Sequence, residues 1–188
     1  MENEIIEILN ENVKVIEGLK DYSSLIAKIS EVIIGAYKNK KKVVLFGNGG
    51  SAADAQHIST EFVGKFYKDR ESLPALALTT NTSSLTATAN DFGYERVFER
   101  QVSSLVNEGD IVIGISTSGN SPNVIKGLEK AKERGAITIG FTGQKENKIE
   151  NISDYCLKIP SNDTPRIQEG HITAGHIICY LVEKELFK

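Results

Sequence analysis

Read for its apolar positions alone, the chain divides near residue 43. Before that point the period is helical. Ile5, Ile6, Ile8, Leu9, Val13, Ile16 and Leu19 fall on one side of a helix over 4–19. A second helix starting at Ser23 or Ser24 carries Leu25, Ile26, Ile29, Val32, Ile33 and Tyr37. Two apolar-faced helices ahead of the first strand are more than a single sheet needs, so residues 1–40 are expected to offer a subunit interface, with packing inside the chain as the other reading. After residue 43 the pattern changes to short apolar runs, at Val43–Phe46, Ala75–Leu78, Ile111–Ile115, Ile137–Phe141 and Tyr155–Ile159. Helical patterns separate them, at 51–66, 82–90 with 94–106, 121–134 and 145–151, and a last helix spans about 166–187. Strands alternating with helices predict an α/β fold, a doubly wound, five-stranded parallel sheet flanked by helices, with the two N-terminal helices as an addition. No repeat or linker interrupts the pattern, and 1–188 is expected to be one domain.

Composition narrows the function. The 188 residues suit one core that buries roughly 70% of the unfolded surface. The net charge is −3 and the longest basic run is Lys40-Lys41-Lys42, which argues against nucleic acid as the main ligand. Cys156 and Cys179 match no metal or redox spacing and are expected to be reduced core thiols. The acidic start, Met1-Glu2-Asn3-Glu4, is unlike a secretory signal, and no apolar run approaches the ~18–20 residues that span a bilayer. A cytoplasmic protein without a membrane partner is the expectation.

The first strand runs into Gly47-Asn48-Gly49-Gly50-Ser51-Ala52, where the glycines let backbone approach a ligand closely. The helix opening at Ser51 turns its N–H groups and positive dipole end toward that turn. The spacing also satisfies G-x-G-x-x-A, but the second strand leads into Thr79-Thr80-Asn81, without the acid a dinucleotide ribose needs. A turn serving only to pack helix on strand is the bland alternative. Along the helix, Asp54, His57 and Glu61 lie within about 60° of one another and form a polar stripe.

After the third strand comes Gly114-Ile115-Ser116-Thr117-Ser118-Gly119-Asn120-Ser121-Pro122. Pro122 suits the first helical position and Ser121 the N-cap. Four hydroxyls at one helix start can hold a phosphate without Lys or Arg, although one of them would suffice merely to cap the helix. The last helix carries Arg166-Ile167-Gln168-Glu169-Gly170-His171-Ile172-Thr173-Ala174-Gly175-His176. Gln168 and His176 differ by about 80° and can converge, whereas His171 points roughly 140° away from His176. A lone helical histidine is usually structural. Yet His57 with Glu61 on one helix and Gln168 with His176 on another would make a plausible zinc set.

Taken together, these motifs resemble the phosphoheptose isomerases, the sedoheptulose 7-phosphate isomerases of the sugar-isomerase (SIS) domain superfamily, over essentially the whole chain. The likeness includes Asn90-Asp91-Phe92-Gly93 besides the stretches above. It implies an aldose–ketose isomerase that makes D-glycero-D-manno-heptose 7-phosphate for bacterial surface heptose. By that likeness, Glu61 and His176 are the catalytic acid–base pair, and one Zn2+ per subunit is held by His57, Glu61, Gln168 and His176. Substrate would be held by Asn48, Gly49, Gly50, Ser51, Glu61, Asn90, Asp91, Ser116, Thr117, Ser118, Ser121 and Gln168. The resemblance also implies a homotetramer with the N-terminal helices at its core. Lys65 stands where many relatives carry Arg, and Pro165 where they often carry an acid. A non-catalytic SIS-type protein that binds a replication initiator is the competing expectation; it could dispense with the acid–base pair.

Overall fold

The computed structural model describes all 188 residues. Its chain order is α1 (Glu2–Gly18), a 3-10 turn (Leu19–Tyr22), α2 (Ser23–Lys38), β1 (Val43–Gly47), α3 (Gly50–Val63) and β2 (Ala75–Ala77). There follow α4 (Thr82–Phe92), a 3-10 turn (Tyr94–Arg96), α5 (Val97–Leu105), β3 (Ile111–Ile115) and α6 (Pro122–Glu133). The chain ends with β4 (Ile137–Gly143), α7 (Lys148–Ile152), β5 (Tyr155–Ile159) and α8 (Thr164–Leu186). All strand pairs are parallel, in the order β2-β1-β3-β4-β5.

Every residue of β1 and β3 is buried, as expected for central strands covered on both faces. Alternation then sorts the side chains. Val43, Leu45, Ile111, Ile113 and Ile115 join one apolar cluster with α2, α3 and α8. Val44, Phe46 and Val112 join the other with α5 and α6, where Phe46 stacks on Phe98 at 4.8 Å. Each such fully buried side chain is worth roughly 1.5–3 kcal/mol against exposure. The order in which the chain adds strands reverses between β1 and β3, with α3 on one face and α6 on the other. Ligands of such sheets sit at that reversal, beyond the strands' carboxyl ends.

The expected boundaries shift where local chemistry intervenes. α7 begins at Lys148, because Asn147 accepts from the Glu150 N–H and caps it there. α3 stops at Val63, just ahead of Gly64. α1 buries only Val15 within the chain, leaving Ile5, Ile6, Ile8, Leu9 and Val13 each 45–59% exposed. Its hold on the domain includes polar contacts, from Asn12 to Glu169 and from Arg166 to the Ile8 carbonyl.

Candidate active site

The glycine turn is shaped by its backbone. Gly49 has φ +55°, which L side chains rarely adopt, and a Cβ on Gly50 would stand 2.2 Å from the Gln168 amide nitrogen. The turn closes on itself: Ser51 N–H donates to the Asn48 carbonyl, and Ala52 and Ala53 N–H to that of Gly49. These N–H groups, expected to face a ligand, therefore already have partners inside the turn. Ser51 is buried beneath it.

Asn48 is tied sideways. Its amide forms a reciprocal pair with Asn123, at 2.9 and 2.8 Å, and its Oδ1 also accepts from the Tyr94 hydroxyl at 3.0 Å. Asn123 is buried and accepts from the Val124 N–H as well. The pair thus bolts the turn after β1 to the start of α6. Asn90 and Asp91, at the end of α4, are exposed and bond to each other at 2.8 Å. Asn81, where a dinucleotide reading needs an acid, caps α4 by accepting from the Ser84 N–H.

The hydroxyl turn gathers three of its four oxygens. Ser116 Oγ lies 2.9 Å from Ser121 Oγ and 3.4 Å from Ser118 Oγ. Ser121 holds the N-cap position and α6 does begin at Pro122, but the Ser121 side chain makes no capping bond. Its hydroxyl is turned inward to Ser116, where a capping role would aim it at the helix. Thr117 uses its carbonyl to accept from Gly143 N–H. With Ser118 it lines a polar cleft of about 300 Å³ that also takes in Gln144, Lys145 and Ser161.

The acid–base groups stand away from that cleft, on an open face. His57 Nε2 is 3.1 Å from Glu61 Oε1 and 3.2 Å from His176 Nε2. All three donor atoms lie within 4.8 Å of one another, so the trio could hold a metal ion. The two-histidine, one-carboxylate set suits zinc, and ligands of a tetrahedral zinc are about 3.3 Å apart, close to the two short separations here. Gln168 lies on the same helix as His176. It sits two helical turns up α8 from His176, roughly 12 Å along the axis, with its amide against Gly50. His57 is half exposed, while Glu61 is largely covered.

Two neighbours complete the description. Asp54, on the same stripe of α3, has a buried Oδ2 without a partner. Burial pushes its carboxyl up to about 6, opposed by the charge of His57. His171 is fully buried on the sheet side of α8, away from the trio, as its helical direction predicts. Its Nε2 donates to the Thr142 carbonyl at 3.2 Å, leaving Nδ1 unpartnered, and burial lowers its pKa to about 4. Asn123 and Tyr94 were not legible as site residues in the sequence. An Asn directly after Pro122 carries no pattern of its own, and its partner Asn48 is 75 positions away.

Comparison with known proteins places the chain in a family. The SIS domain family profile matches residues 9–143. The chain is 57% identical over 164 residues to a phosphoheptose isomerase from Aneurinibacillus thermoaerophilus, covering 87% of this chain and 83% of that one. It is 50% identical to one from Geobacter metallireducens, over the full length of both. Among solved structures, a phosphoheptose isomerase from Neisseria gonorrhoeae superposes with TM-score 0.92 at 37% identity, covering 97% and 98% of the two chains. One from Francisella tularensis does so with TM-score 0.93 at 30% identity, covering 97% of each. The chain therefore belongs to the phosphoheptose isomerases of the SIS-domain family, isomerases that act on sugar phosphates.

Proposed function

We propose that the substrate is sedoheptulose 7-phosphate and the product D-glycero-D-manno-heptose 7-phosphate, formed through an enediol. The observation that carries this reading is the His57–Glu61–His176 cluster, whose donor atoms lie within 4.8 Å of one another on the packed helices α3 and α8. In this reading the phosphate rests on the hydroxyls of Ser116, Ser118 and Ser121 at the start of α6. The sugar extends past Gly49, Gly50, Ser51 and Gln168 toward α3, beneath Asn90 and Asp91.

Glu61 takes the proton from C1 and returns it to C2. Its Oε1 lies toward His57, which leaves Oε2 for this transfer. His176 accepts the proton of the C1 hydroxyl and delivers one to the C2 oxygen, so the ketone becomes an alcohol as C1 becomes the aldehyde. Each positioned group contributes roughly 10²–10⁴ in rate. The trio fits a zinc ion held by His57, Glu61 and His176, with Gln168 as the further ligand that the family likeness implies. A zinc ion held there would act as a Lewis acid on a substrate oxygen.

The exposed apolar face of α1 supports a homotetramer with the N-terminal helices inside it. The route served is bacterial surface heptose, in lipopolysaccharide or capsule, and the setting is the cytoplasm. The test is NMR of the purified protein with sedoheptulose 7-phosphate beside other ketose phosphates. Appearance of the heptose aldose is expected. Conversion of a different ketose phosphate alone would keep the isomerase and reject this substrate.

A further inference from the structure

Seven residues beyond His176 on α8, the Glu183 carboxylate lies buried beside Arg70, with side chains 3% and 2% exposed. It accepts Arg70 Nε at 2.9 Å and three consecutive backbone N–H groups, of Phe66, Tyr67 and Lys68, at 2.8–3.0 Å. The rest of the Arg70 guanidinium turns back on α3. Nη2 donates to the Glu61 carbonyl and Nη1 to that of Phe62, both at 2.8 Å, and Nη1 also to Glu71. An apolar pair could fill this space at least as cheaply, since a buried ion pair is weak evidence for stability. It could not hold two carbonyls and three N–H groups at set positions.

Those positions matter because Glu61 lies in the last turn of α3, where carbonyls lack helical partners and helices fray. Arg70 supplies the missing donors there. The segment fixed by Glu183 in turn sets the Phe66 ring 5.7 Å from the His176 ring. One buried pair thus reaches Glu61 through its carbonyl and His176 through the Phe66 ring.

We propose that Arg70 and Glu183 are positioning residues that hold Glu61 and His176 in register for proton transfer. This rests on the reading of those two side chains as the acid–base pair. The test uses Arg70→Lys, which keeps the charge but loses the fork, and Glu183→Gln, which keeps the size but loses the charge. Both are assayed well below their melting transitions, with the fold checked by circular dichroism. The chain has only three histidines, so ring-carbon NMR on the full protein reads His176 directly. The expected result is a kcat roughly 10–100-fold lower with KM little changed. A displaced His176 ring signal and an unmoved His171 signal are expected with it. Folded variants that keep the parent kcat, or leave the His176 signal in place, overturn the proposal. Should Glu183→Gln fail to fold, Arg70→Lys decides alone. If the parent protein turns over no sugar phosphate, the acid–base reading fails, and the His176 signal by itself upholds or overturns the positioning role of Arg70 and Glu183.

Discussion

The two ends of the site are built differently. At the anion end, the glycine turn closes on its own carbonyls, the Asn48–Asn123 pair bolts it to α6, and Ser116 gathers the hydroxyls of Ser118 and Ser121. In the proposed reading, little there needs to move before a phosphate arrives. At the acid–base end, two imidazole nitrogens and a carboxylate oxygen crowd together on an open face, with His57 half exposed. Two imidazole nitrogens and a carboxylate oxygen at these separations could hold a further cation. One end is tied together by the chain's own hydrogen bonds, and the other presents a group of donor atoms that could take something added.

The contrast can be broken in graded ways. The largest effect is expected at the open end: Glu61→Gln and His176→Gln should each lower kcat by roughly 10²–10⁴ while circular dichroism stays unchanged. Loss of less than an order of magnitude would remove that residue from the mechanism. Next comes the histidine of the opposite kind, buried His171. Its folded-state pKa lies near 4, below the usual 6.5, so the unfolded chain binds the proton more readily. The stability associated with the neutral ring is complete above pH 6.5 and is lost as pH falls toward 4. That loss amounts to about 3 kcal/mol. Urea midpoints at pH 7.5 and 4.5 should show it in the parent protein and not in His171→Gln.

Metal comes third. Zinc at a hundred times its dissociation constant should stabilise the metal-free protein by about 2.7 kcal/mol, read as a raised Tm. His57→Gln should abolish most of that shift; an equal shift in the variant would place the ion elsewhere. At the anion end the effects are smaller. Asn123→Ala leaves the Asn48 amide without its partner and should cost about 1–3 kcal/mol of stability, with a raised KM. Ser121→Ala removes one hydroxyl of three and should raise KM several-fold, about 1 kcal/mol of binding, with kcat kept.

What the sequence made legible follows the range of each interaction. Strands and helices were readable because alternation and helical period are local, and the positions of Pro122 and of His171 followed from the same geometry. The details that failed are tertiary. Ser121 sits at the N-cap as its sequence suggests, but its hydroxyl is drawn to Ser116, a competition that no local pattern records. That the Gln168 amide lies against Gly50 was not readable either, because it depends on α3 and α8 packing side by side. Arg70 and Glu183 are 113 positions apart, and nothing near either one announces the other. The residues expected to touch substrate were readable mainly through family likeness; their spacing alone left bland alternatives standing.

The most direct test of the account is isomerisation in D2O. The protein is incubated with sedoheptulose 7-phosphate and the product followed by NMR. The expected result is the heptose aldose carrying deuterium at C2, from a carbon-bound proton that exchanged while on Glu61, and no product from Glu61→Gln. No aldose from the parent protein, or undiminished turnover by Glu61→Gln, would contradict it.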